Sequence, residues 1–174
     1  MKLSLALIQM RSTTNVIENF NVAEEMIRNA AHQGAQMISL PEVANLVQKN
    51  KDASKQASFT EDQDPFLDGC QKLAKELGVW IHLGSLVIKL KTDNRLANRA
   101  FMINDQGEIV ARYDKIHMFD VDLEGGESYR ESKSFRPGTE AVLVATPWGK
   151  IGLTICYDLR FPHLHRALAK AGAI

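Results

Sequence analysis

Short, continuously apolar runs alternate with longer stretches of helical period along the first half of this chain. Residues 3–9 read as a strand. Asn15 and Glu18 then have the spacing of a capping box. Apolar residues follow at Val16, Phe20, Ala23, Ile27 and Ala30, one face of a helix, and Gly34 supplies its stop. Met37 to Leu40 form a second, buried strand that ends at Pro41-Glu42. Asp64 caps a second helix with Pro65 in its first position, and Phe66, Cys70, Leu73 and Leu77 share a face of it. Val79 to Ile88 read as a third strand.

The second half is richer in strands. Asn98 to Ile103, a turn at Asp105-Gln106-Gly107, and Glu108 to Tyr113 have the pattern of a hairpin. A second hairpin runs from Ala141 to Ala145, turns at Pro147-Trp148-Gly149, and returns over Ile151 to Ile155, straight into Cys156. A last helix starts near Pro162, and Gly172 stops it. Ala173-Ile174 then has the look of a first step into another strand. Two segments lack period: residues 44–63 are expected to be a polar surface loop, and residues 120–138, rich in Asp, Glu, Gly and Ser, a long loop of a length that is often functional. The order β-α-β-α-β-β-β-loop-β-β-α implies a layered α/β fold, one domain over residues 1–174.

Charge narrows the partners. Basic and acidic residues balance at 21 each, without the basic excess of a nucleic-acid binder. No apolar run approaches a membrane span. The first apolar run is too short for a signal peptide and has no cleavage site. Two cysteines make no disulfide framework, so a reducing cytoplasm is the expected location.

Three strand ends carry candidate chemistry. Cys156 leaves an apolar strand and enters the polar stretch Tyr157-Asp158-Leu159-Arg160. Such a junction exposes a side chain at the carboxyl end of a sheet, where α/β proteins bind ligands. It also aims backbone N–H groups at the same place. Cys70, at an apolar helix position, reads as core. Glu42 follows Leu40-Pro41 at another strand end, and a solvated loop carboxylate is an equal reading of it. Lys115 follows the strand that ends at Tyr113, and by position alone a surface lysine is the better reading. Among the five histidines only His117 has a loop position suited to activating a thiol, and nothing in the sequence ties it to Cys156. No His or Cys pair has metal-ligand spacing, so neither metal nor other cofactor is expected.

Taken together, Leu40-Pro41-Glu42, Tyr113-Asp114-Lys115-Ile116-His117 and Thr154-Ile155-Cys156-Tyr157-Asp158-Leu159-Arg160-Phe161-Pro162 resemble the three motifs of the nitrilase superfamily. The likeness extends through Ala6-Leu7-Ile8-Gln9-Met10 and Arg136-Pro137-Gly138. The segments His117-Met118-Phe119-Asp120-Val121-Asp122 and Tyr129-Arg130-Glu131-Ser132 are similar to the Nit branch, whose members are amidases for small ω-amides of 2-oxo acids, including deaminated glutathione. The resemblance implies an α-β-β-α sandwich, incomplete at its C-terminus because the family domain continues past the matched stretch.

It also implies a Glu–Lys–Cys triad of Glu42, Lys115 and Cys156, with Glu131 matching a second glutamate. In that reading Cys156 attacks an amide carbonyl and Glu42 moves the thiol proton to the departing ammonia. Lys115 and the backbone N–H of Tyr157 hold the oxyanion, and Glu131 orients Lys115. Arg160, and after it Arg130, are candidates to clamp a substrate carboxylate, with an ordinary ion pair as the equal alternative for each. The expected partner is a small-molecule amide, with no nucleic acid and no membrane, and the full-length protein is expected to be a homodimer. N-carbamoyl or nitrile hydrolysis on the same fold, or an inactive fragment, are the competing expectations.

Overall fold

The helix over Val16–His32 (α1) starts at its expected cap. In the computed structural model, which describes residues 2–174, the Asn15 side chain accepts from the N–H groups of Ile17 (3.0 Å) and Glu18 (3.2 Å). That satisfies two of the four donors a helix start leaves orphaned. Only half of the expected box forms, because the Asn15 N–H goes to Thr13 Oγ1 at 3.2 Å instead of to Glu18. The second long helix, Pro65–Leu77 (α3), begins in the same way, with Asp64 accepting from Phe66 and Leu67 N–H. Gly78 ends it in a left-handed conformation, φ 64°.

Five strands form one sheet in chain order: Leu5–Leu7 (β1), Met37–Leu40 (β2), Trp80–Lys89 (β3), Leu96–Ile103 (β4) and Ile109–Asp114 (β5). The first three are parallel, and β4 and β5 are antiparallel hairpin partners. Side chains alternate between the two faces. Ile38, Leu40, Ile81, Leu83, Phe101 and Ile103 face α1 and α3. Fully buried side chains of this size are worth ~1.5–3 kcal/mol each. Met37, Trp80, Ala100, Met102 and Tyr113 face the other way, onto Val144, Leu153 and Ile155. Those three belong to, or directly follow, a two-stranded ribbon, Val142–Thr146 (β8) and Gly149–Leu153 (β9). On the ribbon's outer face Gly152 leaves room for Leu168 of the final helix, Pro162–Lys170 (α4). The layers therefore run helix, sheet, ribbon, helix: the α-β-β-α order. Ala173 bridges in parallel to Lys150 of β9, as its strand-like character implies. No helix among the described residues is long and apolar enough to cross a membrane.

Both segments without period are more ordered than the sequence implies. Within 44–63, residues Lys51–Ala57 form a short helix (α2) and Glu61–Gln63 a 3₁₀ turn. Ala44, Asn45 and Leu46 are buried. Burial of Asn45 is tolerated because its side chain exchanges bonds with Val87 and donates to Asp64 at 3.0 Å. Within 120–138, Asp120–Asp122 (β6) and Ser128–Arg130 (β7) pair as a small hairpin, followed by a 3₁₀ turn over Glu131–Lys133. Pairs of only three residues leave too little period to read.

Candidate active site

Glu42 follows β2 in a turn that β3 braces. A register shift in β3 between Leu83 and Leu86 brings Ser85 under the turn. Ser85 Oγ accepts from Val43 N–H at 2.8 Å, and the Ser85 backbone bonds to Pro41 and Ala44. Gly84 is required there, since a Cβ would collide with the Leu40 carbonyl. Val43 itself is left-handed, φ 48°, a costly conformation for a β-branched residue.

Lys115 follows β5. Its N–H bonds to Asn98 of β4 and its carbonyl accepts from Gly138. The side chain is only 2% exposed. Its ammonium lies 3.1 Å from Glu42 Oε1 and 3.0–3.1 Å from both oxygens of Glu131. Burial would pull the Lys115 pKa down, but the charge of Glu42 and the bonds and charge of Glu131 outweigh it and hold the pKa above its usual value. Glu131 is fixed in turn by Phe119 N–H at 2.7 Å.

Cys156 leaves the β9 ribbon at the head of a 3₁₀ turn, Cys156–Arg160, and is exposed, with φ 45°. Burial and then the negative charge of Glu42 push its thiol above the usual range, against a smaller pull from Lys115. At neutral pH the resting group is therefore the neutral thiol, which becomes a strong nucleophile only when a base takes its proton. Glu42 is a carboxylate lining the same cleft as the thiol. Its Oε1 is occupied by Lys115 and by Asn98 Nδ2 at 2.8 Å, and hydrogen bonding between Glu42 and the Cys156 thiol is among the causes that raise the thiol's pKa.

Glu42, Lys115 and Cys156 line one cleft of ≈ 460 Å³, together with Asn98 and Glu131. Val43, Phe119, Tyr129 and Phe135 form its apolar wall. The Tyr157 N–H lies in the first turn of the 3₁₀ segment, a position whose donors lack partners within the turn. The Tyr157 ring packs edge-on against Phe119 at 5.1 Å.

The two arginines fare differently. Arg130 lines the cleft, but its guanidinium is engaged by Asp122 at 2.6 Å and by the carbonyls of Val121 and Tyr129, the ion pair that was its alternative reading. Arg160 is exposed outside the cleft lining, and its side chain makes no hydrogen bond or ion pair with another described residue. His117 turns from the thiol to Asp158, 2.7 Å away, and stacks on Phe161.

Asn98 and Asp158 escaped the sequence reading. Asn98 donates to Glu42 and, at 3.3 Å, to Glu131, so one amide spans both carboxylates. Its signal was a lone amide inside the apolar strand Leu96–Ile103.

Cys70 is wholly buried, and burial raises its pKa, so it stays an inert thiol. Iodoacetamide should modify one thiol per native chain, at Cys156, and two after denaturation. Cys70→Ala should leave turnover unchanged and cost about 1 kcal/mol of stability; a second thiol labelled in the folded protein would contradict this assignment.

Residues 4–174 match the family described as carbon-nitrogen hydrolase. The chain is similar to the deaminated glutathione amidase of Yersinia enterocolitica, 36% identical over 98% of this chain and 59% of that protein. It is likewise similar to the deaminated glutathione amidase of Mus musculus, 37% identical over 97% of this chain and 53% of the relative. The chain thus spans about half the length of the curated relatives it matches. The crystal structure of the C. elegans NitFhit protein superposes with a TM-score of 0.90 at 32% identity, over 99% of this chain and 43% of that one. An amidase from Nesterenkonia shares the fold, with a TM-score of 0.84 at 23% identity over 99% of this chain and 64% of its own. With a matching fold, a family match over nearly all its residues and relatives above 35% identity, this chain belongs to the carbon–nitrogen hydrolase family.

Proposed function

We propose that this chain carries the reacting groups of an amidase that works through a cysteine thioester, with a small carboxylate-bearing amide as substrate. The observation that carries the reading is the Lys115 ammonium, buried between Glu42 and Glu131, beside an exposed cysteine at a strand end. Glu42 Oε2 accepts the thiol proton as Sγ attacks the carbonyl carbon. The C=O π electrons move onto oxygen, and Lys115 and the Tyr157 N–H receive that oxyanion. Collapse re-forms the C=O, breaks the C–N bond and delivers the proton from Glu42 to the leaving nitrogen as ammonia. Water, deprotonated by the same carboxylate, then cleaves the thioester to the acid and restores the thiol. A positioned acid–base group contributes about 10²–10⁴-fold, and each oxyanion donor about 10²–10³-fold.

The names of the relatives and the Nit-like segments around Phe119 and Tyr129 support a 2-oxo-acid ω-amide or deaminated glutathione as substrate. Arg160, exposed and unengaged at the end of the Cys156 turn, is the proposed partner of a substrate carboxylate that projects beyond the cleft lining, whereas Arg130 is held in its hairpin. The test is turnover of such an amide with product analysis. Stoichiometric ammonia and acid are expected. Carbon dioxide with ammonia from an N-carbamoyl compound, and no reaction with the amide, would replace this reading with carbamoyl hydrolysis.

A further inference from the structure

We propose that Asp158 is a positioning residue: one buried carboxylate that ties the segment carrying Lys115 to the turn carrying Cys156. It rests on the functional reading above. Asp158 has no exposed surface and does not line the cleft, so it can act only through other groups. Its Oδ2 accepts from the Tyr113 hydroxyl at 2.6 Å and from the Ile155 N–H at 2.9 Å. Its Oδ1 accepts from the His117 N–H at 3.0 Å and lies 2.7 Å from His117 Nδ1. An ionised carboxylate only accepts, so Nδ1 is the protonated nitrogen of that ring.

The positions of these donors matter more than their number. Tyr113 and His117 stand two residues before and two residues after Lys115. Ile155 and Asp158 bracket Cys156. One side chain therefore clamps both flanks of the lysine and both flanks of the nucleophile. Lys115 holds Glu42, so fixing Lys115 against Cys156 also fixes the base against the thiol. Burial alone would raise the Asp158 pKa, and the hydroxyl and N–H donors more than reverse it, so the carboxylate stays charged. A buried charge is costly unless its hydrogen bonds are complete; here it holds Cys156 in a left-handed conformation that its own chain would not favour. His117 is kept in place from the other side by Phe161, stacked at 3.6 Å and 9°, and His165 Nε2 lies 3.2 Å from the Asp158 carbonyl.

A merely structural carboxylate would affect melting and nothing else. A positioning carboxylate sets how strongly Cys156 feels Glu42. The experiment follows the pH midpoint of Cys156 alkylation by iodoacetamide in four native proteins: the parent, Glu42→Gln, Asp158→Asn and the double variant. Lys115 and Glu131, the other charged groups facing the thiol, are common to all four. In the parent background Glu42→Gln should lower the midpoint by about one pH unit. In the Asp158→Asn background that shift should shrink to less than half. With an amide substrate, Asp158→Asn should lower kcat by about 10²-fold, the scale of a small misplacement of reacting groups, while KM changes little. Equal midpoint shifts in the two backgrounds, with only the melting temperature lowered, would overturn the proposal. Should Asp158→Asn lose its cooperative melt, Tyr113→Phe, which removes one donor and keeps the carboxylate, is read by the same two criteria. A parent with no amidase turnover would remove the functional reading and leave the alkylation comparison to decide this one.

Discussion

Cys156→Ala should leave no measurable amide turnover in a protein that still folds. The side chain is exposed at the head of its turn, so its removal opens no cavity, and alanine bears the left-handed backbone no worse than cysteine does. The melting temperature should therefore stay close to the parent's. Turnover should not. In the proposed mechanism the remaining groups still bind and polarise a carbonyl, but there is nothing to form the thioester, and loss of a covalent nucleophile typically costs about 10⁴-fold or more in kcat. Parallel melts and steady-state rates check this. Parent-like turnover in a folded Cys156→Ala protein would end the nucleophile assignment.

Lys115→Met should be the most damaging single change, because it acts on stability and on rate together. The ammonium is almost wholly buried and paired with two carboxylates. Methionine fills the space but leaves Glu42 and Glu131 facing each other across a site bridged only by the Asn98 amide. Breaking a buried pair by removing one partner costs about 3 kcal/mol or more. In the proposed mechanism the same substitution removes an oxyanion donor, for a further loss of about 10²–10³-fold in kcat. Since the folded protein raises the Lys115 pKa above its ordinary 10.5, the lysine's contribution is complete below that value and is lost as pH rises through the folded-state pKa. The stability gap between parent and Lys115→Met should thus be level around neutrality and close only in strong alkali. Urea unfolding over a pH series measures it, and a Met variant as stable as the parent would contradict the buried ion pair.

What could be read from the chain and what could not divide along a physical line. The caps at Asn15 and Asp64, the Gly34 stop, left-handed at φ 84°, and the strand Met37–Leu40 all have signals within a few residues of themselves. So do the three strand ends with Glu42, Lys115 and Cys156, where an apolar run meets a charged or reactive side chain. The fixings of the site have none. Asn98 reaches Glu42 across 56 residues and Glu131 across 33. Asp158 meets Tyr113 across 45. Such bonds are made by tertiary packing and leave no period or spacing behind. Residues 44–46 differ from expectation for a related reason: their polar setting implies a solvated loop, yet Asn45 is buried and its bonds are completed by strand and helix residues remote in sequence. Arg130 had the right chemistry for a clamp, but its engagement with Asp122 depends on a hairpin too short to detect.

Among the described residues, the two non-glycine residues with left-handed backbone, Val43 and Cys156, set thermal selection against the proposed activity. Each pays about 1–2 kcal/mol for that conformation, and glycine would relieve it, less the roughly 0.5–1 kcal/mol that glycine's freedom costs in the unfolded chain. A library screened only for heat resistance would drift toward glycine at both positions. At 156 the drift deletes the proposed nucleophile outright. At 43 it removes a cleft-wall side chain next to Glu42, the proposed base. On the proposed function, thermostabilised variants of this protein therefore have to be selected with a catalytic readout, because at these two turns the more durable backbone belongs to the poorer enzyme.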